Sequence, residues 1–426
     1  MSEKVPEGYK KTELGEIPEE WSVVKLGSLC EVITKGTTPT TVGFSYQNNG
    51  INFVKIESID KNGNFLPNMF SHISEDANKA LKRSILREND LLFSIAGALG
   101  RVAIVNSEIL PANTNQALAI IRLKKDQQID LEYVYCFLNG PQIQKHIDRI
   151  NVQSAQANLS LENMNNFKIA LPKKEEQQKI ASILLKVDEQ IEQTEKVIEI
   201  TEFLKKGLMQ KLLIKGIGHT KFKKTELGEI PEEWKITKLK ENCLDALSGG
   251  TPSTSMENYW NGDIPWMTSS NISGVFIKNG QKNITKDGLD NSASKLVPKN
   301  NLIVATRVGL GKLAVNLIDI SISQDLTGLI IDKNKANSLF LYWALKFSEK
   351  KIISYSQGST IKGILKSDLL NFNIQLPPLP EQQKIASILS KVDSQIQDNK
   401  SYVTRLQELK KGLMQDLLTG KVRVCV

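Results

Sequence analysis

One segment of this 426-residue chain, KKTELGEIPEEW, occurs twice, at residues 10–21 and again at residues 223–234. A second pair of matching segments follows each copy. Residues 171–184 read LPKKEEQQKIASIL, and residues 376–389 read LPPLPEQQKIASIL. Repeats of this kind restrict the fold to copies of one structural unit. We therefore predict a tandem duplication in which each copy has an entry motif, a variable body and a long helix.

The two bodies contain short apolar runs separated by glycine, asparagine and proline. Residues 91–105 and 301–317 are predicted β-hairpins with glycine turns. Residues 131–147 and 339–355 are predicted short helices. These patterns predict α/β (or α+β) globular domains. The predicted boundaries are 1–171 for the first domain, 172–216 for the first long helix, 217–376 for the second domain, and 377–426 for the second long helix and its tail.

Both long helices begin after proline and carry an apolar seam with spacings of three and four residues. The seam positions are Ile180, Leu184, Val187, Ile191 and Ile198 in the first helix and Ile385, Leu389, Val392, Ile396 and Val403 in the second. Thr194 and Asn399 interrupt it at equivalent places. So narrow a seam predicts that the helices, each about 60 Å long, pair with each other as a coiled coil. The short connection Ile214 to Phe222 leads straight back into a globular domain and favours antiparallel packing. Packing of each seam on its own domain is the alternative.

The net charge of +8 and the isoelectric point near 9.0 are compatible with nucleic-acid binding. Residues 1–172 are nevertheless close to neutral, so a first domain that grips phosphates needs a local basic patch or a partner. No apolar stretch approaches the roughly 18 residues of a membrane span, and the polar N-terminus does not resemble a signal peptide. We expect a cytoplasmic protein.

Sequence motifs for catalysis and metal binding are absent. The chain has no HExxH, GxSxG or Walker A motif and no Asn-Pro-Pro-aromatic loop of the kind that amino-methyltransferases need. The four cysteines form no CxxC pair, and the three histidines are scattered. We therefore expect that this chain is not an enzyme by itself and binds no metal or cofactor.

Taken together, the repeated motifs closely resemble those of the specificity subunits of type I restriction–modification enzymes. The resemblance covers essentially the whole chain and depends on the doubled LGEIPEEW, the Gly-x-Thr-Pro turns at residues 36–39 and 249–252, the doubled EQQKIASIL, and the ending LLTGKVRV. It implies two target-recognition domains, each reading one half of a split DNA site. It also implies helices that set the spacing and dock methyltransferase subunits, which in turn bind motor-nuclease subunits. S-adenosylmethionine, ATP and Mg²⁺ are then expected on those partners.

Base reading requires side chains that bond base edges, whereas hydroxyls more often hold phosphates. Four places in each copy offer such groups: the Gly-x-Thr-Pro turn, the glycine hairpin, a turn that ends in glutamine, and the polar loop before the long helix. The candidates are Thr37, Thr38, Arg101, Asn115, Gln116 and Gln156 in the first copy and Thr251, Arg307, Lys312, Gln324, Ser359 and Lys362 in the second. Structural turns and solvated loop charges are the alternatives. In the first copy, Ala96 stands where the second has Arg307.

The aromatic residues of the second body, Tyr259, Trp260 and Trp266, are interpreted as packing residues rather than base-stacking ones. The matched Trp21 and Trp234 are interpreted as structural anchors where each domain meets the helices.

Two hypotheses of different classes remain at this point. The first is a non-catalytic DNA-specificity subunit. The second is a duplicated protein-binding scaffold or adaptor with dimerisation helices. Binding to DNA duplexes, alone and with a methyltransferase partner, distinguishes them.

Overall fold

A computed structural model describes residues 5–126, 128–153, 158–356 and 363–425 of a chain that separates into two compact units. Unit 1 comprises Met1–Glu195 and Ser401–Val426, and unit 2 comprises Lys196–Lys400. The predicted duplication is confirmed, because the elements of unit 2 repeat those of unit 1 in order. The division differs from the linear boundaries predicted above, since each unit contains the beginning of one long helix and the end of the other.

The first half of the chain contains the following strands and helices. The strands are β1 (Tyr9–Thr12), β2 (Gly15–Pro18), β3 (Ser22–Lys25), β4 (Cys30–Lys35), β5 (Ile51–Val54), β6 (Ser71–Ile73), β7 (Leu91–Ser94), β8 (Val102–Ile104), β9 (Ala112–Thr114), β10 (Leu118–Leu123) and β11 (Lys168–Leu171). The helices are α1 (Leu26–Leu29), α2 (Glu75–Ala80), α3 (Leu131–Leu138), α4 (Pro141–Gln153), α5 (Leu161–Asn165) and the long α6 (Lys174–Ile214).

Unit 1 is organised around an antiparallel sheet with the strand order β4-β10-β7-β8. A smaller sheet, β6-β5-β9, covers one face, and helices cover the other. Successive residues of β7 alternate between the two faces: Leu91 and Phe93 pack with the helices, whereas Leu92 packs toward the smaller sheet. Because both faces are buried, the strand begins with three consecutive apolar residues, Leu91 to Phe93.

The second half repeats this arrangement with two additional short strands. The strands are β12 (Phe222–Thr225), β13 (Gly228–Pro231), β14 (Lys235–Lys238), β15 (Cys243–Ser248), β16 (Trp260–Met267), β17 (Phe276–Ile277), β18 (Lys282–Ile284), β19 (Lys295–Val297), β20 (Leu302–Ala305), β21 (Leu313–Asn316), β22 (Ile320–Ile322), β23 (Leu326–Ile331) and β24 (Asn373–Leu376). The helices are α7 (Lys286–Asp290), α8 (Ser338–Phe347), α9 (Glu349–Ser354), α10 (Lys366–Leu370) and the long α11 (Leu379–Leu417). The two sheets have the orders β15-β23-β20-β21-β17 and β18-β16-β22-β19.

Both predicted glycine hairpins are confirmed as β7–β8 and β20–β21. The two predicted short helices each prove to be two helices, α3 with α4 and α8 with α9. In the first case Gly140 ends the helical turn, and the next helix begins at Pro141, which lacks a backbone N–H.

The predicted antiparallel pairing of the long helices is confirmed, and it is visible inside each unit. In unit 1, Leu417 near the end of α11 shares a buried cluster with Ile180 near the start of α6. Lys410 of α11 also forms a 2.6 Å ion pair with Asp188 of α6. Unit 2 has the reciprocal arrangement, in which the end of α6 packs with the start of α11.

The seam positions are all buried or half-buried. Those that are buried are Ile180, Leu184, Ile191, Thr194, Ile385, Leu389, Ile396 and Val403, and those that are half-buried are Val187, Ile198, Val392 and Asn399. Ile180 and Leu184 also share their cluster with Trp21 of the globular domain. The beginning of the seam therefore serves both helix pairing and the domain core.

Within the described residues, no helix is long and apolar enough to cross a lipid bilayer.

Candidate nucleic-acid interface

Three segments predicted to touch DNA meet at one end of the larger sheet of unit 1. The Gly-x-Thr-Pro turn follows the end of β4, the Asn115-Gln116 turn precedes the start of β10, and the glycine hairpin follows the end of β7. The register brings these places together, because β10 pairs Ala119 with Lys35 on one side and Leu118 with Ser94 on the other. The topology thus collects candidates that are far apart in sequence.

Unit 2 repeats this convergence. Thr327 of β23 pairs with Ser248 at the end of β15, and Leu326 pairs with Ala305 at the end of β20. The second Gly-x-Thr-Pro turn, the Gln324 turn and the hairpin carrying Arg307 therefore lie at the same end of the sheet.

A threonine–glutamine hydrogen bond joins two of these segments in each unit. The Thr38 hydroxyl donates to the side-chain oxygen of Gln116 at 2.6 Å, and the Thr251 hydroxyl donates to that of Gln324 in the same way. Both glutamines are exposed. The bond holds each amide in place and leaves its NH₂ group, and one lone pair on its oxygen, available to a ligand.

Glycine is required where each turn passes close to the end of a strand of the smaller sheet, β9 in unit 1 and β22 in unit 2. A Cβ atom on Gly36 would lie 1.8 Å from the Thr114 carbonyl oxygen, and one on Gly249 would lie 2.3 Å from the Ile322 carbonyl oxygen. The close backbone approach brings the following threonine within reach of the glutamine. The repeated glycine is therefore explained by the geometry of the pair.

The cations at the end of the two glycine turns have a structural role. Arg101 is half-buried, and its Nη1 atom donates to the carbonyl oxygens of Ile59 at 2.7 Å and Ile56 at 3.4 Å. Lys312, at the matching position, directs its Nζ atom to the Ser269 carbonyl oxygen at 3.4 Å. Both side chains tie the hairpin to the turn after the central strand of the smaller sheet. Lys312 is exposed and Arg101 is half-buried.

Arg307 is exposed in the second hairpin, and no described residue forms a hydrogen bond or ion pair with its guanidinium group. Its position is fixed through the backbone. The Thr306 N–H donates to the carbonyl oxygen of Asp325 at 2.9 Å, and Asp325 directly follows Gln324. The buried Asp325 carboxylate in turn accepts the Ser269 N–H at 2.8 Å. Arg307 is thus presented beside the Thr251–Gln324 pair.

The structure also brings to this surface a residue that the sequence did not single out. Arg83 is exposed, and its Nη2 atom donates to the Thr37 hydroxyl at 3.2 Å. Thr37 directly precedes Thr38 of the threonine–glutamine pair. No motif or periodicity marks Arg83, because the contact depends on folding of the intervening chain.

The remaining candidates fall into two groups. The Asn115 side-chain oxygen accepts the Ala117 N–H at 3.1 Å, so this residue stabilises its own turn. Gln156, Ser359 and Lys362 lie outside the described residues. The chain that follows them returns to the same end of the sheet: the Leu159 N–H donates to the Ile95 carbonyl and the Ile364 N–H to the Thr306 carbonyl.

A second repeated site explains the doubled entry and helix motifs. In unit 1, the buried Glu176 carboxylate accepts the Trp21 indole N–H at 3.0 Å. It also accepts two hydrogen bonds from the Arg423 guanidinium, at 2.7 and 2.9 Å. The Arg423 guanidinium also bonds the exposed Glu20 at 2.7 Å. Hydrogen bonds to Glu176 and Glu20 raise the pKa of Arg423, and the bond from Arg423 lowers the pKa of Glu20. The C-terminal tail is thereby fixed to the start of α6.

Unit 2 builds a similar site with a histidine, His219, in place of the arginine. The Glu381 carboxylate accepts the Trp234 indole N–H at 3.0 Å and lies 2.9 Å from Nε2 of His219. The predicted anchoring role of the two tryptophans is confirmed, since each joins its domain to the beginning of a long helix.

The glutamine that follows each of these glutamates is fully buried. Gln177 accepts the Asp130 N–H at 2.9 Å and donates to the Gln128 and Pro172 carbonyls. Gln382 makes the equivalent bonds in unit 2, to Asn337 and to two carbonyls. The identical EQQ sequence therefore reflects identical contacts between helix and domain.

We expect Glu176→Gln to lower the free energy of unfolding by about 2–3 kcal/mol, because it removes the charge that partners Arg423 in a buried site. Thermal or urea unfolding of the full chain measures this change. Glu20→Gln is the matched control, since it alters the exposed partner of the same guanidinium and should lower the stability clearly less than Glu176→Gln does. Equal losses in the two variants would contradict the assignment.

Burial raises the pKa values of three cysteine thiols. It raises the pKa of Cys30 and Cys136 to about 12 and that of Cys243 to about 11, so these thiols remain protonated at neutral pH. Within the part of the chain that the structure describes, no group of three or more His, Cys, Asp or Glu side chains is arranged to hold a metal ion.

The fold and the site define a class of protein in which two like but non-identical recognition domains are carried by paired helices. The sequence profile of the type I restriction modification DNA specificity domain matches residues 18–202 and again residues 231–410. The chain belongs to this family, and it is a type I restriction–modification specificity subunit with two tandem target-recognition domains.

Individual relatives agree with this assignment. The MjaX specificity subunit of a type I restriction enzyme from Methanocaldococcus jannaschii is 31% identical over 98% of this chain and 97% of its own length. The MjaVIII specificity subunit from the same organism is 28% identical over 98% of this chain and 96% of its own. The crystal structure of a type I restriction-modification S subunit from M. genitalium superposes with a TM-score of 0.60 at 16% identity, covering 97% of both chains. That likeness supports the fold.

Proposed function

We propose that this chain is a non-catalytic specificity subunit in which each unit reads one half of a bipartite double-stranded DNA site. The observation that carries the proposal is the convergence of the threonine turn, the glutamine turn and the glycine hairpin at one end of each larger sheet. Their exposed amide and guanidinium groups are those that bond base edges and phosphates. The family match favours this function over a protein-binding adaptor.

The two halves of the site are expected to differ. A protein that reads a palindromic DNA site uses two identical recognition domains. Here the two recognition domains share a scaffold and the threonine–glutamine pair but differ in another exposed group, because Arg307 of unit 2 corresponds to Ala96 in unit 1. We therefore infer an asymmetric target.

We further propose that the long helices dock two methyltransferase subunits. Apolar side chains are exposed on both helices, which soluble surfaces normally avoid in clusters. They are Val197, Ile200, Phe203 and Leu204 of α6 and Ile388, Tyr402 and Leu409 of α11. Val197 and Leu204 correspond in the repeat to Tyr402 and Leu409, which supports two equivalent docking surfaces.

In such a complex the partners supply the chemistry. S-adenosylmethionine is expected on the methyltransferase subunits, and ATP and Mg²⁺ on the motor-nuclease subunits that they recruit. This chain would contribute recognition and spacing, without a cofactor of its own, and would act in the cytoplasm.

The test combines binding with catalysis. We expect the purified full chain to transfer no methyl group from S-adenosylmethionine and to cut no DNA with ATP and Mg²⁺ in single-turnover assays. Together with its methyltransferase partner, it should retard DNA duplexes in mobility-shift assays. Methyl transfer or cleavage by a homogeneous preparation, or absence of any DNA complex with the partner, would refute the proposal.

A double variant links binding to the site described above. Gln116→Ala with Gln324→Ala should weaken the DNA complex and leave thermal unfolding unchanged, because both amides are exposed. Gln193→Ala is the matched control, since this exposed glutamine on α6 bonds only Glu189 of the same helix among the described residues.

A further inference from the structure

The two units share one part of the recognition surface and differ in another. The threonine–glutamine pair is the same in both, with Thr38 and Gln116 matched by Thr251 and Gln324. The exposed arginine beside the pair is not the same. It comes from the glycine hairpin in unit 2 and from a different element in unit 1.

In unit 1 this arginine is Arg83, which lies in the 3-10 turn Lys82–Ser84 after α2. Its bond to the Thr37 hydroxyl directs the guanidinium to the residue next to Thr38. The other N–H groups of the Arg83 guanidinium have no partner among the described residues, and the side chain is exposed.

Neither arginine has a counterpart in the other unit. Strand pairing aligns Ile85 with Leu296, so the position of Arg83 corresponds to Ser294 in unit 2. Ser294 is buried, and its hydroxyl bonds Ser321 at 2.7 Å. In the reverse direction, the position of Arg307 corresponds to Ala96.

Groups that are the same in both recognition domains cannot account for the recognition of different sequences. The common threonine–glutamine pairs are therefore suited to what both half-sites have in common, above all the sugar–phosphate backbone. Discrimination must come from the groups that differ. A planar guanidinium with free N–H groups matches the O6 and N7 acceptors of guanine in the major groove.

We propose that Arg83 is a specificity-determining residue of unit 1 that reads a guanine in its half-site, and that Arg307 has the corresponding role in unit 2. The inference rests on the proposed DNA-reading function. It assigns the two half-sites to arginines on different elements, so the guanines are expected at different places within the two halves.

The experiment uses the full chain with its methyltransferase partner. Methylated sites are mapped in a host genome, and binding is then measured on duplexes that carry each single base-pair substitution of the mapped site. Arg83→Ala should reduce discrimination about 5- to 150-fold at one G·C pair of one half-site and leave the other half unchanged. Arg307→Ala should do the same in the opposite half.

Two further variants make the result decisive. Arg83→Lys keeps the charge but loses the planar guanidinium, so it should restore overall affinity without restoring the full discrimination at that G·C pair. Arg87→Ala should have no effect, because this exposed arginine lies 3.9 Å from Glu31, at the opposite end of β4 from the recognition surface.

Two results would overturn the proposal. One is a loss of affinity that is uniform across sequences and is restored by Arg83→Lys, which marks a phosphate contact. The other is an unchanged site. Failure of the proposed function itself is distinguishable, since the wild-type complex would then methylate no bipartite site.

Discussion

Replacing residues 22–165 by the corresponding body of another specificity subunit should change one half of the methylated site completely and leave the other half intact. All the described recognition groups of unit 1 lie within this segment, whereas those of unit 2 lie outside it. The exchange also spares Trp21, Glu176 and Arg423, which fix the domain to the helices. Gln177 bonds backbone atoms of the exchanged segment, and any body with the same fold supplies them.

Methylome sequencing of a host that carries the chimaera measures the outcome. The matched control is the reciprocal exchange of residues 235–370, which should change only the other half. If either exchange altered both halves, the two domains would not read DNA independently, and the assignment of one half-site to each unit would be wrong.

Inserting seven residues after Glu195 and seven after Lys400 should lengthen the spacer between the half-sites by roughly three base pairs. One heptad adds about 10 Å to a helix, and DNA rises about 3.4 Å per base pair. These two points coincide with the boundaries between the compact units, so the insertions leave the contacts within each unit in place. Neither half-site should change.

The same mapping experiment tests this prediction. An unchanged spacer would show that the helices do not set the distance between the half-sites. An insertion after Glu195 alone is the control, because it breaks the match between the two helices and should abolish methylation rather than lengthen the spacer.

The polar interruptions of the seam give a related expectation for register. Thr194 is buried, but its hydroxyl donates to the Gln190 carbonyl of its own helix at 2.7 Å, which satisfies it locally. Asn399 is half-buried and is the better site for a test. We expect Asn399→Leu to raise the melting temperature and to loosen the choice of spacer, because polar seam residues fix register at a cost in stability.

Much of the architecture could be predicted from sequence because its signals are local or repeated. The identical segments at residues 10–21 and 223–234 establish the duplication. The spacing from Ile180 to Ile198 predicts a paired helix, because a seam of period 3.5 has no use on an isolated one. Glycines in the middle of apolar runs predict the hairpins. Each of these inferences needs only residues that are near one another in the chain.

The candidate site was predicted less completely. The repeat marked Thr38, Gln116, Thr251 and Gln324 as candidates, and the structure pairs them across two turns in each unit. Their contact with DNA stays a prediction. Arg101 matched the pattern equally well, yet its guanidinium is used on the carbonyls of Ile56 and Ile59. The sequence shows that a cationic side chain is present, but its hydrogen-bond partners depend on the tertiary structure.

What only the tertiary structure decided are the contacts between distant segments. Strand register brings Arg83 to Thr37, and antiparallel packing of the helices brings Arg423 to Glu176, residues that are 247 positions apart in the chain. The same packing gives each compact unit the beginning of one helix and the end of the other. A local pattern fixes which face of an element is apolar, but the partner of that face depends on register and topology, which no single segment of sequence contains.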